Sequence, residues 1–308
     1  MRRNVIYFIC FIILGFLISA CQMNNQENAD GGYAITNINI FKDTPAWELA
    51  MAVNKQDTDT IAKIAETNPE ILDYQEPKYG ATVLLWAIGM EKYKSSEALL
   101  KAGADPEIAS TVDGETPLFL ATGFSWIDYS AKKNPKYVKL LLRYGADPNN
   151  NESGRKRKIE TSLLMHTVRA GIEKTKALVE AGADINYKTS SGYTVAIQAL
   201  DAGTNATIEG LEYAHYLIAE KQAKVSEPYY SSIKIYGDEE PSKEFYPVDI
   251  LRDWVYDLGS KEHKMKMEIV EEFARQGVNY WETEIHPSTL EKIQKLYPDT
   301  WQEYIKQY

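Results

Sequence analysis

Apolar residues recur along this chain at helical spacing, in short blocks that stop and restart. Trp47, Ala50, Met51 and Val53 share one face, and Ile61, Ile64, Ala65, Ile71 and Leu72 form the next. Leu84, Leu85, Ala87 and Ile88 predict an inner helix, followed by an outer one that carries Ala98 and Leu99. Three blocks finish alike: Leu99-Leu100-Lys101-Ala102-Gly103-Ala104-Asp105-Pro106, Leu141-Leu142-Arg143-Tyr144-Gly145-Ala146-Asp147-Pro148-Asn149, and Ala177-Leu178-Val179-Glu180-Ala181-Gly182-Ala183-Asp184-Ile185-Asn186. Each glycine predicts a left-handed residue that ends a helix without a Cβ clash. Between these endings stand Thr44, Thr82, Thr116, Thr161 and Thr194, each ahead of a helical run, as in Thr116-Pro117-Leu118-Phe119. A threonine there caps the first free amides, and a proline at the first helical position has no N–H to satisfy.

A Thr-Pro-Leu start and a Leu-Leu-x-x-Gly-Ala-Asp-x-Asn finish resemble the ankyrin repeat, whose period is about 33 residues. The Thr-to-Thr spacings are 38, 34, 45 and 33, so Thr161 to Thr194 is one period and the others carry insertions. The resemblance is strongest from Gly80 to Val195, and weaker copies extend it to about Tyr280. It implies an all-α fold, an ankyrin-repeat solenoid of about five to six helix-pair repeats with insertions and a C-terminal capping helix. That domain is expected over 40–308, with atypical repeats from about 195 and the cap over 287–308.

The third repeat keeps its start at Asp113-Gly114-Glu115-Thr116 but carries extra residues from Gly123 to Pro135. The next finger is lengthened from Asn149 to Lys158. Leu217 to Val225 fits the repeat ending with Gln222 in place of glycine and Lys224 in place of aspartate, which leaves the left-handed cap there open. A tyrosine-rich insert follows from Ser226 to Glu244, where Gly237-Asp238 predicts a hairpin turn. Tyr246-Pro247 restarts a helix, another ends at Gly277, and Ser288-Thr289-Leu290-Glu291 reads as a capping box opening a closing helix interrupted at Pro298.

The chain opens with Met1-Arg2-Arg3, an apolar run from Val5 to Ile18, and Ser19-Ala20-Cys21. A charged start, a short apolar core and small residues before a cut site describe a secretory signal. The run is shorter than the ~18 apolar residues of a spanning helix. Leu17-Ile18-Ser19-Ala20-Cys21 resembles the lipobox of bacterial lipoproteins, which implies residues 1–20 as a cleaved signal and acylation of Cys21. Residues 21–39 are then the lipidated cysteine and a tether, polar and aperiodic from Gln22 to Gly32. Gln22 stands where an aspartate would hold a similar enterobacterial lipoprotein in the inner membrane, so an outer-membrane anchor facing the periplasm is expected. The lipid is the expected tie to the membrane, since each buried methylene adds ~0.8 kcal/mol. The other cysteine, Cys10, lies in the leader, and no protein disulfide is expected after its removal.

The chain holds 34 basic and 44 acidic residues, a net charge of −10, and the leader would take Arg2 and Arg3 with it. That balance argues against nucleic acid and fits a basic protein surface better. His166, His215, His263 and His286 show no metal-ligand spacing. His166 falls mid-helix, where packing is the ordinary role. Asp57 and Asp59 read as a helix cap with its acidic first turn. No nucleophile elbow, phosphate loop or dinucleotide fingerprint occurs, so neither catalysis nor a cofactor is expected.

What remains is surface. Phe124, Trp126 and Tyr129 concentrate aromatic area outside the regular pattern, and aromatic residues are enriched among binding hot spots. The competing reading is that the rings cover the insert's own core. Tyr187 and Lys188 are expected at a finger tip, as are Glu107, Ile108 and Thr111 one repeat pair earlier. Arg155, Lys156 and Arg157 form the one basic cluster of an acidic chain, on a solvated finger. Another protein is therefore the expected partner. Small ankyrin lipoproteins of Gram-negative bacteria, which this chain resembles in anchor and repeat type, include immunity proteins that neutralise periplasm-acting effectors such as lipases delivered by type VI secretion. The resemblance implies a secreted, phospholipase-like effector as the partner. An envelope scaffold with a resident partner is the alternative.

Overall fold

The computed structural model describes residues 33–131, 133–151, 161–203, 208–230 and 243–308. The expected signal, Cys21, most of the tether, Arg155, Lys156, Arg157 and the Gly237-Asp238 turn lie outside the described residues. Two compact units divide the chain, the first running to Asp147 and the second taking Pro148–Asn151 and the described residues from 161 onward.

The first unit is a stack of three helix pairs. Helices α1 (Trp47–Lys55) and α2 (Thr58–Thr67) make the first, α3 (Val83–Gly89) and α4 (Tyr93–Lys101) the second, α5 (Pro117–Thr122) and α6 (Lys136–Arg143) the third. Val53, Ile61, Leu84, Leu85 and Leu99 are buried between them, as their spacing predicts, together with Leu49, Val138 and Leu141.

The second unit pairs α7 (Leu163–Thr167) with α8 (Ile172–Glu180), then α9 (Val195–Gly203) with α10 (Ile208–Ala214), which continues as a π-helical turn over His215–Glu220. Strands β1 (Tyr229–Tyr230) and β2 (Glu244–Phe245) form a two-residue antiparallel ribbon. Helices α11 (Pro247–Arg252), α12 (Lys261–Arg275), α13 (Pro287–Leu296) and α14 (Trp301–Tyr304) close the unit. In that last part Arg252 and Lys266 are buried with Tyr280 and Tyr308. The Lys266 ammonium donates to the Trp254 carbonyl at 2.6 Å and stands 4.2 Å over the Tyr308 ring.

Helix starts follow the threonines in three cases of five. Thr82, Thr116 and Thr194 each accept a backbone N–H three residues on, from Leu85, Phe119 and Ile197. The α7 cap is Ser162 rather than Thr161, because Ser162 Oγ takes the Met165 N–H at 3.2 Å while Thr161 Oγ1 is spent on His166 Nε2 at 2.9 Å. Thr44 is not a cap either; its hydroxyl donates backward to the Phe41 carbonyl at 2.6 Å, and α1 starts three residues later. The closing helix α13 begins one residue before the expected capping box. His286 Nδ1 accepts the Ser288 N–H, and Glu291 pairs with Lys295 instead of reaching back. Asp57 caps α2 through the Thr60 N–H at 3.1 Å, and the Thr60 bonds hold its carboxyl below the usual range.

Helix ends keep their left-handed residue with or without glycine. Gly103, Gly145, Gly182 and Gly277 have φ of 102°, 93°, 94° and 84°, and Gln222 takes φ 57° in the same role. Successive endings are then joined by one recurring bond. The Asp105 N–H donates to Asp73 Oδ1 at 2.9 Å, and the Asp147 N–H to Glu107 Oε1 at 2.8 Å, both in the first unit. In the second unit the Asp184 N–H donates to Asn149 Oδ1 at 2.7 Å, and the Lys224 N–H to Asn186 Oδ1 at 2.8 Å. Lys224 thus occupies the aspartate position of its repeat, because the bond uses only its backbone.

Candidate protein-binding surface

The extra residues of the third repeat fold into a closed turn between α5 and α6. Phe124 and Ala131 bridge antiparallel across its base. The Ser125 N–H donates to the Ser130 carbonyl at 3.0 Å, and the Tyr129 N–H to the Ser125 carbonyl at 3.1 Å. Asp128 Oδ1 accepts both the N–H and the hydroxyl of Ser130. Tyr129 stands at φ 56°, a left-handed conformation that costs a side-chain-bearing residue energy and that the surrounding bonds maintain.

Two contacts fasten this turn to the second repeat. Ser125 is buried, and its hydroxyl donates to Glu91 Oε1 at 2.5 Å while its oxygen accepts the Ile127 N–H at 3.1 Å. The Trp126 ring lies against Gly89 at the end of α3, where an added Cβ would stand 2.2 Å from it. Tyr137 of α6 is buried, its phenol pushed well up by that burial and by the Glu91 carboxylate.

The aromatic residues divide by role. Trp126 is half-buried and faces Gly89 of α3, outside the insert. Phe124 and Tyr129 face outward, each 45 % exposed, and Ile127 joins them at 55 %. Ile127 was not legible as a surface residue, since an isoleucine between two aromatics reads as core. A bonded backbone that presents three large apolar side chains is suited to contact, because little loop entropy remains to be lost on binding.

In the second unit Tyr187 and Lys188 do lie on a finger turn, where the Tyr187 N–H donates to the Asp184 carbonyl at 3.3 Å. Tyr187 is half-buried, and Lys188 forms an ion pair with Glu227, which lowers the carboxyl pKa of Glu227. Lys188 is thus committed within its own unit. Glu107 is committed too, through the Asp147 N–H, and the Thr111 side chain covers Gly80. Among the described residues no group of three or more histidine, cysteine or acidic side chains is placed to hold a metal. No described helix is long and apolar enough to cross a membrane.

Helix pairs that end on a left-handed residue and tie one ending to the next have the geometry of ankyrin repeats. The ankyrin repeat family model matches residues 113–152, the stretch that contains the aromatic turn. The crystal structure of EF0377, an ankyrin repeat protein, is similar at 19 % identity and a TM-score of 0.50, covering 74 % of this chain and 96 % of that one. No curated protein sequence matches the chain. The fold is therefore the all-α ankyrin fold, and repeats of this kind generally mediate protein–protein interaction.

Proposed function

We propose that this chain is a lipoprotein of the bacterial envelope, anchored through Cys21, whose repeats bind another protein through the turn from Phe124 to Ala131. The observation that carries the reading is the division of labour in that turn. Trp126 and Ser125 lock it to α3 and the Glu91 connection, leaving Phe124, Ile127 and Tyr129 exposed on a strained, fixed backbone. Backbone strain held in place by buried contacts is characteristic of functional surfaces.

Within that reading the partner is a secreted antibacterial effector of the phospholipase kind, and the chain is its immunity protein. The support is the sequence resemblance of anchor and repeat type, together with a surface that offers occlusion and an acidic charge of −10 that would steer a basic face toward it. An interface of about 1,600 Å² with a few aromatic anchors reaches nanomolar affinity. The test is purification of the full chain from envelopes of cells that carry the effector. One effector per chain is expected, lost on Phe124→Ser with Tyr129→Ser. Recovery of a resident envelope protein instead, unaffected by those changes, would replace the immunity reading with the scaffold one.

A further inference from the structure

The described ends of the tyrosine-rich insert meet in the second unit, beside Tyr246, and have a different character. The β1–β2 ribbon pairs Tyr229 with Phe245 and Tyr230 with Glu244. Its two sides are held differently. On one, the Tyr229 ring packs edge-on to Tyr193 at 5.6 Å and stacks on Phe245 at 5.7 Å. The Tyr230 N–H also donates to the Ser191 carbonyl at 2.8 Å, which ties the ribbon to the finger turn. On the other, the Tyr230 hydroxyl donates to Glu244 Oε1 at 3.1 Å and the Tyr246 hydroxyl to Glu244 Oε2 at 3.0 Å.

Glu244 is thus an exposed carboxylate fixed by two phenols, and among the described residues no ammonium or guanidinium forms an ion pair with it. Two described lysines of this part of the chain have contacts of their own. Lys188 pairs with Glu227, and the Lys243 ammonium stands 5.4 Å over the Phe245 ring. The carboxylate keeps both phenols protonated, raising the pKa of Tyr230 and of Tyr246 through those hydrogen bonds. The Tyr246 ring beside it is 43 % exposed.

We propose that Glu244, held between Tyr230 and Tyr246, is a docking point for a lysine or arginine side chain of the protein partner. The cation would sit on the carboxylate, with its methylene stem along the exposed Tyr246 face, where ring and charge attract. Charge complementarity favours this occupant, since the chain is acidic at −10 and this carboxylate is oriented in advance. Tyrosines give contact area at low entropic cost, which suits such a surface. The proposal deepens the reading of the chain as a protein binder and adds a second contact of stated chemistry.

The test titrates the full chain with Nα-acetyl-lysine amide, and with the norleucine counterpart as the uncharged control, following the Tyr230 and Tyr246 ring signals by NMR. Saturable shifts with the lysine probe alone are expected. Glu244→Gln should weaken them about five-fold, Tyr246→Ala should reduce them, and added salt should blunt them. No saturable shift, equal shifts with norleucine, or unchanged binding in Glu244→Gln would overturn the proposal. If Glu244→Gln opens the ribbon, which the Tyr229 ring signals would show, the comparison of the two probes on the unmodified chain decides alone. The probe needs no partner protein, so failure here and failure of effector capture are separate results.

Discussion

Gly89 and Trp126 meet so closely that a single methyl group on Gly89 would fall 2.2 Å from the indole ring. The glycine at the end of α3 is the seat on which the aromatic turn rests. Gly89→Ala should therefore displace Trp126, lower the melting temperature and redden its fluorescence as the ring meets water. Trp126→Ala should cost roughly 1–3 kcal/mol, less than a fully buried tryptophan because the ring is only partly buried. Unchanged melting in both variants would contradict this seat.

Phe124 and Tyr129 carry the opposite expectation. Alanine at either should weaken partner binding by more than ~2 kcal/mol with little change in melting temperature. Tyr129→Gly is sharper still, since glycine suits φ 56° and removes the ring at once. That variant should be at least as stable as the parent and bind worse, as read by calorimetry against the effector.

The repeat endings were legible because a Gly-Ala-Asp run is a backbone signal. Gly182 and the buried Leu178 are where the pattern put them. Thr44 and Thr161 misled because a threonine hydroxyl serves a carbonyl or a histidine as readily as an amide, and only its neighbours decide. The Gln222 cap is not legible because sequence does not show whether surrounding bonds outweigh the cost of a left-handed side chain. Phe124 and Tyr129 stood out as aromatics in an insert. The inward turn of Trp126 did not, since its seat is a glycine more than thirty residues earlier.

Those endings give a stability series for urea unfolding. Gln222→Gly should stabilise by up to about 1 kcal/mol by relieving φ 57°, whereas Gly182→Val at φ 94° should destabilise. Leu178→Ala should cost ~2–5 kcal/mol. Asn149→Ala removes its bonds to the Asp184 N–H and the Gly182 carbonyl and should cost about 1–2 kcal/mol. A parent-like midpoint for Leu178→Ala and Gly182→Val together would contradict the repeat register.

Alkaline pH should unfold the protein through its buried phenols. Burial pushes Tyr213, Tyr256 and Tyr280 up from 10.0 to about 12. Below pH 10 both folded and unfolded states keep these protons. As pH rises from about 10 to about 12 only the folded state does, so it binds more protons and stability falls. Lys266 works the other way, since burial depresses its pKa and stability rises with pH until its unfolded value near 10.5 is passed. The loss above that point belongs to the phenols. Urea midpoints should drop steadily above about pH 10.5, with the tyrosinate absorbance appearing late; a flat midpoint through this range would contradict it.

Survival under attack is the decisive measurement of whether this chain is an immunity protein. The gene would be deleted in a strain competing with siblings that deliver the matching effector, then restored as the unmodified chain, as Phe124→Ser with Tyr129→Ser, or as Cys21→Ser. The deletion strain should die, the unmodified chain should rescue it, and the double variant should be made in normal amount but fail to rescue. Loss of the anchor should take the protein out of the membrane fraction and weaken rescue. A deletion strain that survives as well as its parent, with no effector bound to the purified chain, would rule out the immunity function.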